Sequence, residues 1–237
     1  MDKKIFITSC DKFSEDIDIA LDREYLGFKG ELTKADLRRL KRESFRFIST
    51  NFIEELKFRF LDKGFANVQI QCREVENHDQ DPLVIEIYYP KLTETDPYLK
   101  PGLLVEIGSR SLKEPFTLRS FTTMVSDSFP DKPFYFPPIT IPSVNPERTF
   151  LEKIFLLHEE FQRPKEKIRI NRLSRHLYDI GKLMQTPFAQ LAIDGEGLYN
   201  TIVNHRIIFN HISGVDPAKY RPALIQFIPP SGLMPLW

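Results

Sequence analysis

The chain has 237 residues, 41% of them hydrophobic and 28% charged, and Lys+Arg balance Asp+Glu at 33 each. That length buries a core without disulfide help, and a net charge of zero leaves any polyanion contact to local clusters. Two cysteines, Cys10 and Cys72, exclude a disulfide framework and read as reduced thiols of a cytoplasmic protein; no apolar run approaches the ~20 residues of a membrane-spanning helix.

In chain order, Lys3 to Ser9 and Ile17 to Leu21 read as short strands. A long helix is expected from about Thr33 to Asp62, where Leu37, Leu40, Phe47, Phe52, Leu56 and Phe60 recur at near-helical spacing. Thr33 with Asp36 forms a capping box in which Asp replaces the usual Glu, and Gly64 is the expected stop. The period then changes, and Asn67–Arg73, Leu83–Tyr89, Gly102–Ser109 and Thr117–Val125 read as strands, with a hairpin loop at Asn77–Pro82.

The stretch from Pro130 to Pro146 holds six prolines and is not expected to sustain a regular element. Beyond it the pattern is helical: Asn145-Pro146 opens a helix to about Gln162, Ser174 caps a second running to Met184, and Gly197 to Ile212 makes a third. The tail from Ile228 to Trp237 reads as an extended arm. The expected class is therefore α+β: a mixed sheet with a long helix over residues 1–142, then a helical domain over 143–237.

Chemistry concentrates in the carboxylates. Asp16 and Asp18 stand two apart on a predicted strand and so project from one face. Among Ile17, Ile19 and Leu21 such a pair calls for compensation, and a hard divalent ion with oxygen ligands supplies it. The plainer reading is a solvated strand start. Glu106 interrupts the apolar run Leu103-Leu104-Val105-Glu106-Ile107, either as a third ligand or as a residue on a wet strand face.

Other groups carry two readings each. Arg163, Lys165, Lys167, Arg169, Arg172 and Arg175 cluster against Glu166 alone, either a phosphate-contacting surface or a solvated face. Arg110 can steady a triphosphate or pair with a carboxylate. His158-Glu159 opens like a zinc-protease helix, but position 162 is Gln, so that motif is rejected.

Phe13-Ser14-Glu15-Asp16-Ile17-Asp18 resembles the signature of the AbiEii/AbiGii-type nucleotidyltransferase toxins, within the DNA polymerase β-like nucleotidyltransferase superfamily. Val105-Glu106-Ile107-Gly108 looks like that family's third-acid strand, Pro146 to Lys153 with Leu157 to Pro164 its first C-terminal helix, and Arg172 to Ile180 its second. The resemblance implies an α+β nucleotidyltransferase in which Asp16, Asp18 and Glu106 bind Mg²⁺. Lys153 would contact a nucleoside triphosphate, with Ser14 and Arg110 nearby in role, and Asp179 would act near the nucleotide. It further implies a toxin of a toxin–antitoxin pair that transfers a nucleoside monophosphate to a hydroxyl acceptor, RNA such as tRNA, with an antitoxin as partner. The unremarkable alternatives are a solvent-facing Lys153 and an Asp179 paired with Arg175 one turn back. The family's Gly-Gly-Thr/Ser turn, expected about a dozen residues before the acidic pair, falls at or before Met1. The expectation is an upstream start or a lost phosphate loop, the latter giving a degenerate member that acts by binding another protein.

Overall fold

The structure, a computed structural model, describes residues 16–75, 80–91, 102–110, 112, 115–169, 173–209 and 214–233. It divides into two compact units, one spanning Lys12–Lys113 and the other comprising Glu114–Trp237. The break expected near residue 142 falls inside the second of these. The strand expected at Lys3 to Ser9 and most of the loop expected at Asn77–Pro82 lie outside the described residues.

The first unit is a four-stranded mixed sheet backed by one long helix. Its strands are β1 (Asp16–Ala20), β2 (Gln69–Cys72), β3 (Leu83–Tyr88) and β4 (Gly102–Gly108), in the order β1-β4-β3-β2. β1 runs parallel to β4, while β3 is antiparallel to both β4 and β2. A parallel neighbour needs a crossover, and the long helix with the β2–β3 hairpin fills the chain between.

That helix starts where the sequence predicts. Thr33 accepts from the Asp36 backbone N–H, Asp36 accepts from the Thr33 backbone N–H, and both halves of the capping box are present. It runs as α1 (Lys34–Phe47), a π-helical turn (Ile48–Phe52) and α2 (Ile53–Asp62). In the wider turn the Ser49 and Thr50 hydroxyls donate to the Phe45 and Arg46 carbonyls, at 2.7 and 2.6 Å. Gly64 stops the helix with φ at +84°. Phe65 N–H reaches back to the Phe60 carbonyl and Gly64 N–H to the Leu61 carbonyl; this is a Schellman ending, and the accompanying apolar contact is the Phe60–Phe65 ring pair at 5.9 Å.

Alternation gives the sheet two unlike faces. Ile70, Leu83, Ile85, Ile87, Val105 and Ile107 point one way and bury against Ile48 and Ile53 of the helix. Asp18, Glu106, Asp16 and Glu86 belong to the opposite face by register.

The second unit holds a two-stranded antiparallel ribbon, β5 (Phe116–Phe121) with β6 (Ile139–Val144), and five helices among the described residues: α3 (Met124–Ser128), α4 (Pro146–Phe161), α5 (Ser174–Leu183), α6 (Pro187–Asp194) and α7 (Glu196–Phe209). Several expectations are corrected here. The strand expected over Thr117–Val125 ends at Phe121, because Thr123 caps α3 by accepting from the Ser126 backbone N–H. The proline-rich stretch does contain a strand: a ribbon of two strands has only edges, and an edge accommodates Pro142. Ser174 is the first residue of α5 rather than its cap, Leu173 taking that place. The helix expected from Gly197 begins at Glu196, and α6, opened by Thr186-Pro187, was not expected at all.

α4 is the centre of this unit. Phe150, Leu151, Ile154, Phe155, Leu157 and Phe161 are buried, and so are three consecutive titratable residues, His158, Glu159 and Glu160. Buried charges must be paired, and each finds partners. Glu159 takes a forked contact from Arg206 on α7 and the Tyr220 hydroxyl at 2.6 Å. Glu160 takes Arg169 side-chain contacts at 2.7–3.3 Å and the Arg169 backbone N–H at 2.8 Å. His158 Nδ1 accepts from Gln226 N–H at 3.0 Å. Tyr220 and Gln226 lie in the segment between α7 and the expected arm at Ile228, so that segment packs on α4 through these groups.

Candidate functional site

Asp16 and Asp18 lie on β1, the edge strand of the sheet. The β1–β4 register pairs Asp18 with Glu106 and Asp16 with Leu104. Residues paired across adjacent strands sit about 4.8 Å apart and point to the same face, so all three acids share one face. Asp18 is exposed, and Asp16 and Glu106 are half-buried. Among the described residues, no three His, Cys, Asp or Glu side chains converge as around a metal ion. What the fold supplies is the register, and a set of three carboxylate oxygens is the donor chemistry that a hard divalent cation takes.

A fourth acid on this face escaped the sequence reading. Glu86 stands opposite Leu104 on β3 and accepts from Gln71 at 3.0 Å, Arg73 at 2.8 Å and the Tyr88 hydroxyl at 3.0 Å. The Gln71 and Arg73 contacts hold its carboxyl below the usual range. Its signal was the one that marked Glu106, a glutamate inside an apolar run. Glu86 is committed to these partners.

Arg110 follows β4 and takes the second of its two readings. Its Nε donates to Asp81 Oδ2 at 3.2 Å, and its Nη2 contacts the Asp81 carbonyl. Asp81 is buried and also accepts from Ser109, from the backbone N–H at 3.2 Å and the hydroxyl at 3.0 Å. One carboxylate thus ties the start of β3 to the end of β4, two residues beyond the strand that carries Glu106. Asp81 sat in a predicted loop with nothing to single it out. Ser14 lies outside the described residues.

The second unit carries the remaining expected residues. Lys153 on α4 and Asp179 on α5 meet at 3.0 Å, with about a fifth of each side chain exposed. Lys153 is therefore not a solvent-facing helix lysine, and Asp179 takes Lys153 across two helices. The basic cluster is partly spent: Arg163 and Arg169 both pair with the buried Glu160, at 3.5 and 2.7 Å. Burial works against the Glu160 charge, but the Arg169 hydrogen bonds outweigh it and hold its pKa below the usual value. Lys165, Lys167 and Arg175 are exposed, and Arg172 lies outside the described residues.

The family model described as "Nucleotidyl transferase AbiEii toxin, Type IV TA system" matches residues 11–229. The chain belongs to this family. The match takes in β1, β4, α4 and α5, and so every expected site residue, and it makes the chain a nucleotidyltransferase-type toxin of a toxin–antitoxin system, for which an antitoxin is the counterpart. No curated protein and no solved structure matches. Among the described residues of this AbiEii-family chain, no helix is long and apolar enough to cross a membrane.

Proposed function

We propose that this AbiEii-family protein is a Mg²⁺-dependent nucleotidyltransferase that moves a nucleoside monophosphate from a nucleoside triphosphate to a hydroxyl of RNA, tRNA being the expected acceptor. The observation that carries the reading is the parallel register that sets Asp18 beside Glu106 with Asp16 on the same face. Asp16, Asp18 and Glu106 would hold the cation, their register being set by the backbone pairing of β1 with β4. When bound, the ion would screen the triphosphate charge and lower the pKa of an attacking hydroxyl.

The balance of the reaction is simple. The acceptor oxygen bonds to the α-phosphorus, the bond from that phosphorus to the β-bridging oxygen breaks, pyrophosphate leaves, and the hydroxyl proton passes to solvent. Lys153 would meet the triphosphate charge, and Asp179 would orient that lysine through their 3.0 Å contact. The Asp81 contacts hold Arg110 at the end of the strand bearing Glu106.

Labelled triphosphate incubated with total tRNA and Mg²⁺ tests the proposal. Label should enter RNA with the wild-type chain and not with Asp18→Ala. Equal labelling by both, or none by either, defeats it.

A further inference from the structure

Six cations crowd α1: Lys34, Arg38, Arg39, Lys41, Arg42 and Arg46, within a chain whose overall charge is zero. Lys34, Arg38, Arg42 and Arg46 recur every fourth residue and so form one row along the helix, with Lys41 beside it. All four of the row are exposed. The two acids of α1 lie to one side, Asp36 meeting Arg39 beside the row at 3.4 Å and Glu43 meeting Arg46 at the end of the row at 2.5 Å. Among the described residues, Lys34, Arg38, Lys41 and Arg42 have no carboxylate partner. Like charges four apart oppose the helix they sit on. The next stretch, α2, shows the ordinary arrangement, with Lys57 on Glu54 at 3.0 Å and Arg59 on Glu55 at 2.7 Å.

Position decides what anion suits this row. The helix buries Leu40, Ser44 and Ile48 on the side opposite the row, and the helix itself packs on the apolar face of the sheet. The acids Asp16, Asp18 and Glu106 are on the other face. A mononucleotide at the acids cannot also touch the row; a polymer can. From Lys34 to Arg46 the row extends about 18 Å, long enough to span several successive backbone phosphates of a polyanion.

We propose that the exposed basic row of α1 binds the phosphodiester backbone of RNA, docking the body of the acceptor on the face of this unit remote from the acids. The proposal rests on the nucleotidyl-transfer reading only for naming the polymer as RNA. It also moves the main RNA contact away from the Arg163–Arg175 cluster, where Glu160 already holds two of the arginines.

The test is binding of fluorescent total tRNA to the full chain at several salt concentrations, with thermal melting to confirm folding. The variant K34Q/R38Q/K41Q/R42Q should lose at least tenfold in affinity, and its plot of log affinity against log salt should be shallower by about three. K57Q/R59Q, whose cations are already paired, should bind as wild type. Unchanged tRNA binding by the fourfold variant overturns the proposal, as does an equal loss in K57Q/R59Q. A larger loss on phosphatidylserine-rich vesicles than on tRNA overturns it in favour of a membrane surface. Calorimetry with Mg²⁺ and triphosphate separates the two readings. The fourfold variant should still bind triphosphate; if even the wild type binds none while row-dependent tRNA binding persists, the transferase reading falls and the docking surface stands.

Discussion

Lys153 on α4 and Asp179 on α5 meet at 3.0 Å, each about four-fifths buried, and so couple two helices through one ion pair. α4 does not need that pair to form, since it is fixed by its apolar residues and by the partners of Glu159 and Glu160.

The first expectation follows from that. Lys153→Met and Asp179→Asn should each lower nucleotidyl transfer by roughly 10²-fold, the scale of losing one charge that stabilises a transition state. Thermal midpoints should also fall, because each variant leaves the other, largely buried charge without its partner in this pair. Transfer assays beside melting curves check this; a variant that melts early without losing activity would assign the pair to structure alone.

Asp18→Asn and Glu106→Gln should abolish Mg²⁺-dependent transfer while leaving the fold intact. Asp18 is exposed on an edge strand, and Glu106 is half-buried with its backbone held on both sides. Calorimetric titration of Mg²⁺ with triphosphate should show weakened binding in both variants, and circular dichroism should be unchanged. Retention of wild-type Mg²⁺ dependence by both would remove these acids from the site.

The sequence made legible whatever is local. Thr33 with Asp36 and Gly64 mark both ends of the long helix because caps use neighbours in the chain. Spacing by two puts Asp16 and Asp18 on one face, but it cannot say which strand lies beside them. That neighbour, β4, is some 90 residues on, and only the folded register brings Glu106 to Asp18. β6 hid among prolines because edge pairing tolerates Pro142. Thr186-Pro187 should have announced α6, since proline suits the first helical turn. Asp81 was invisible because its partners are the end of a strand 28 residues away.

Asp81→Asn is the stability prediction. The carboxylate is buried and accepts from a backbone N–H, a hydroxyl and a guanidinium. An amide offers one acceptor oxygen and turns two donors toward groups that also donate. The expected cost is roughly 2–3 kcal/mol, the scale of hydrogen bonds to a charged group, read as a lower urea midpoint with an unchanged slope. Asp81→Glu, which keeps the charge but not the reach, should be intermediate.

Acid sensitivity should divide between two groups on α4. Burial pushes the His158 imidazole below its ordinary value, outweighing the Lys219 backbone contact and the Glu159 charge that favour its protonated form. Its Nδ1 accepts the Gln226 N–H, a role open only to the neutral ring. The unfolded chain takes up that proton near pH 6.5, so it binds more protons than the native state below that point. Stability is therefore fully present above about pH 6.5 and lost as pH falls through the lower folded value. Glu160, held below its ordinary value, adds a second loss beginning below about pH 4.5 by the same sign. Melting temperature measured from pH 8 down to about pH 2 should thus fall in two stages. His158→Gln should flatten the upper stage and leave the lower one, and a variant that still loses stability between pH 6.5 and 5 as wild type does would show that another group controls it.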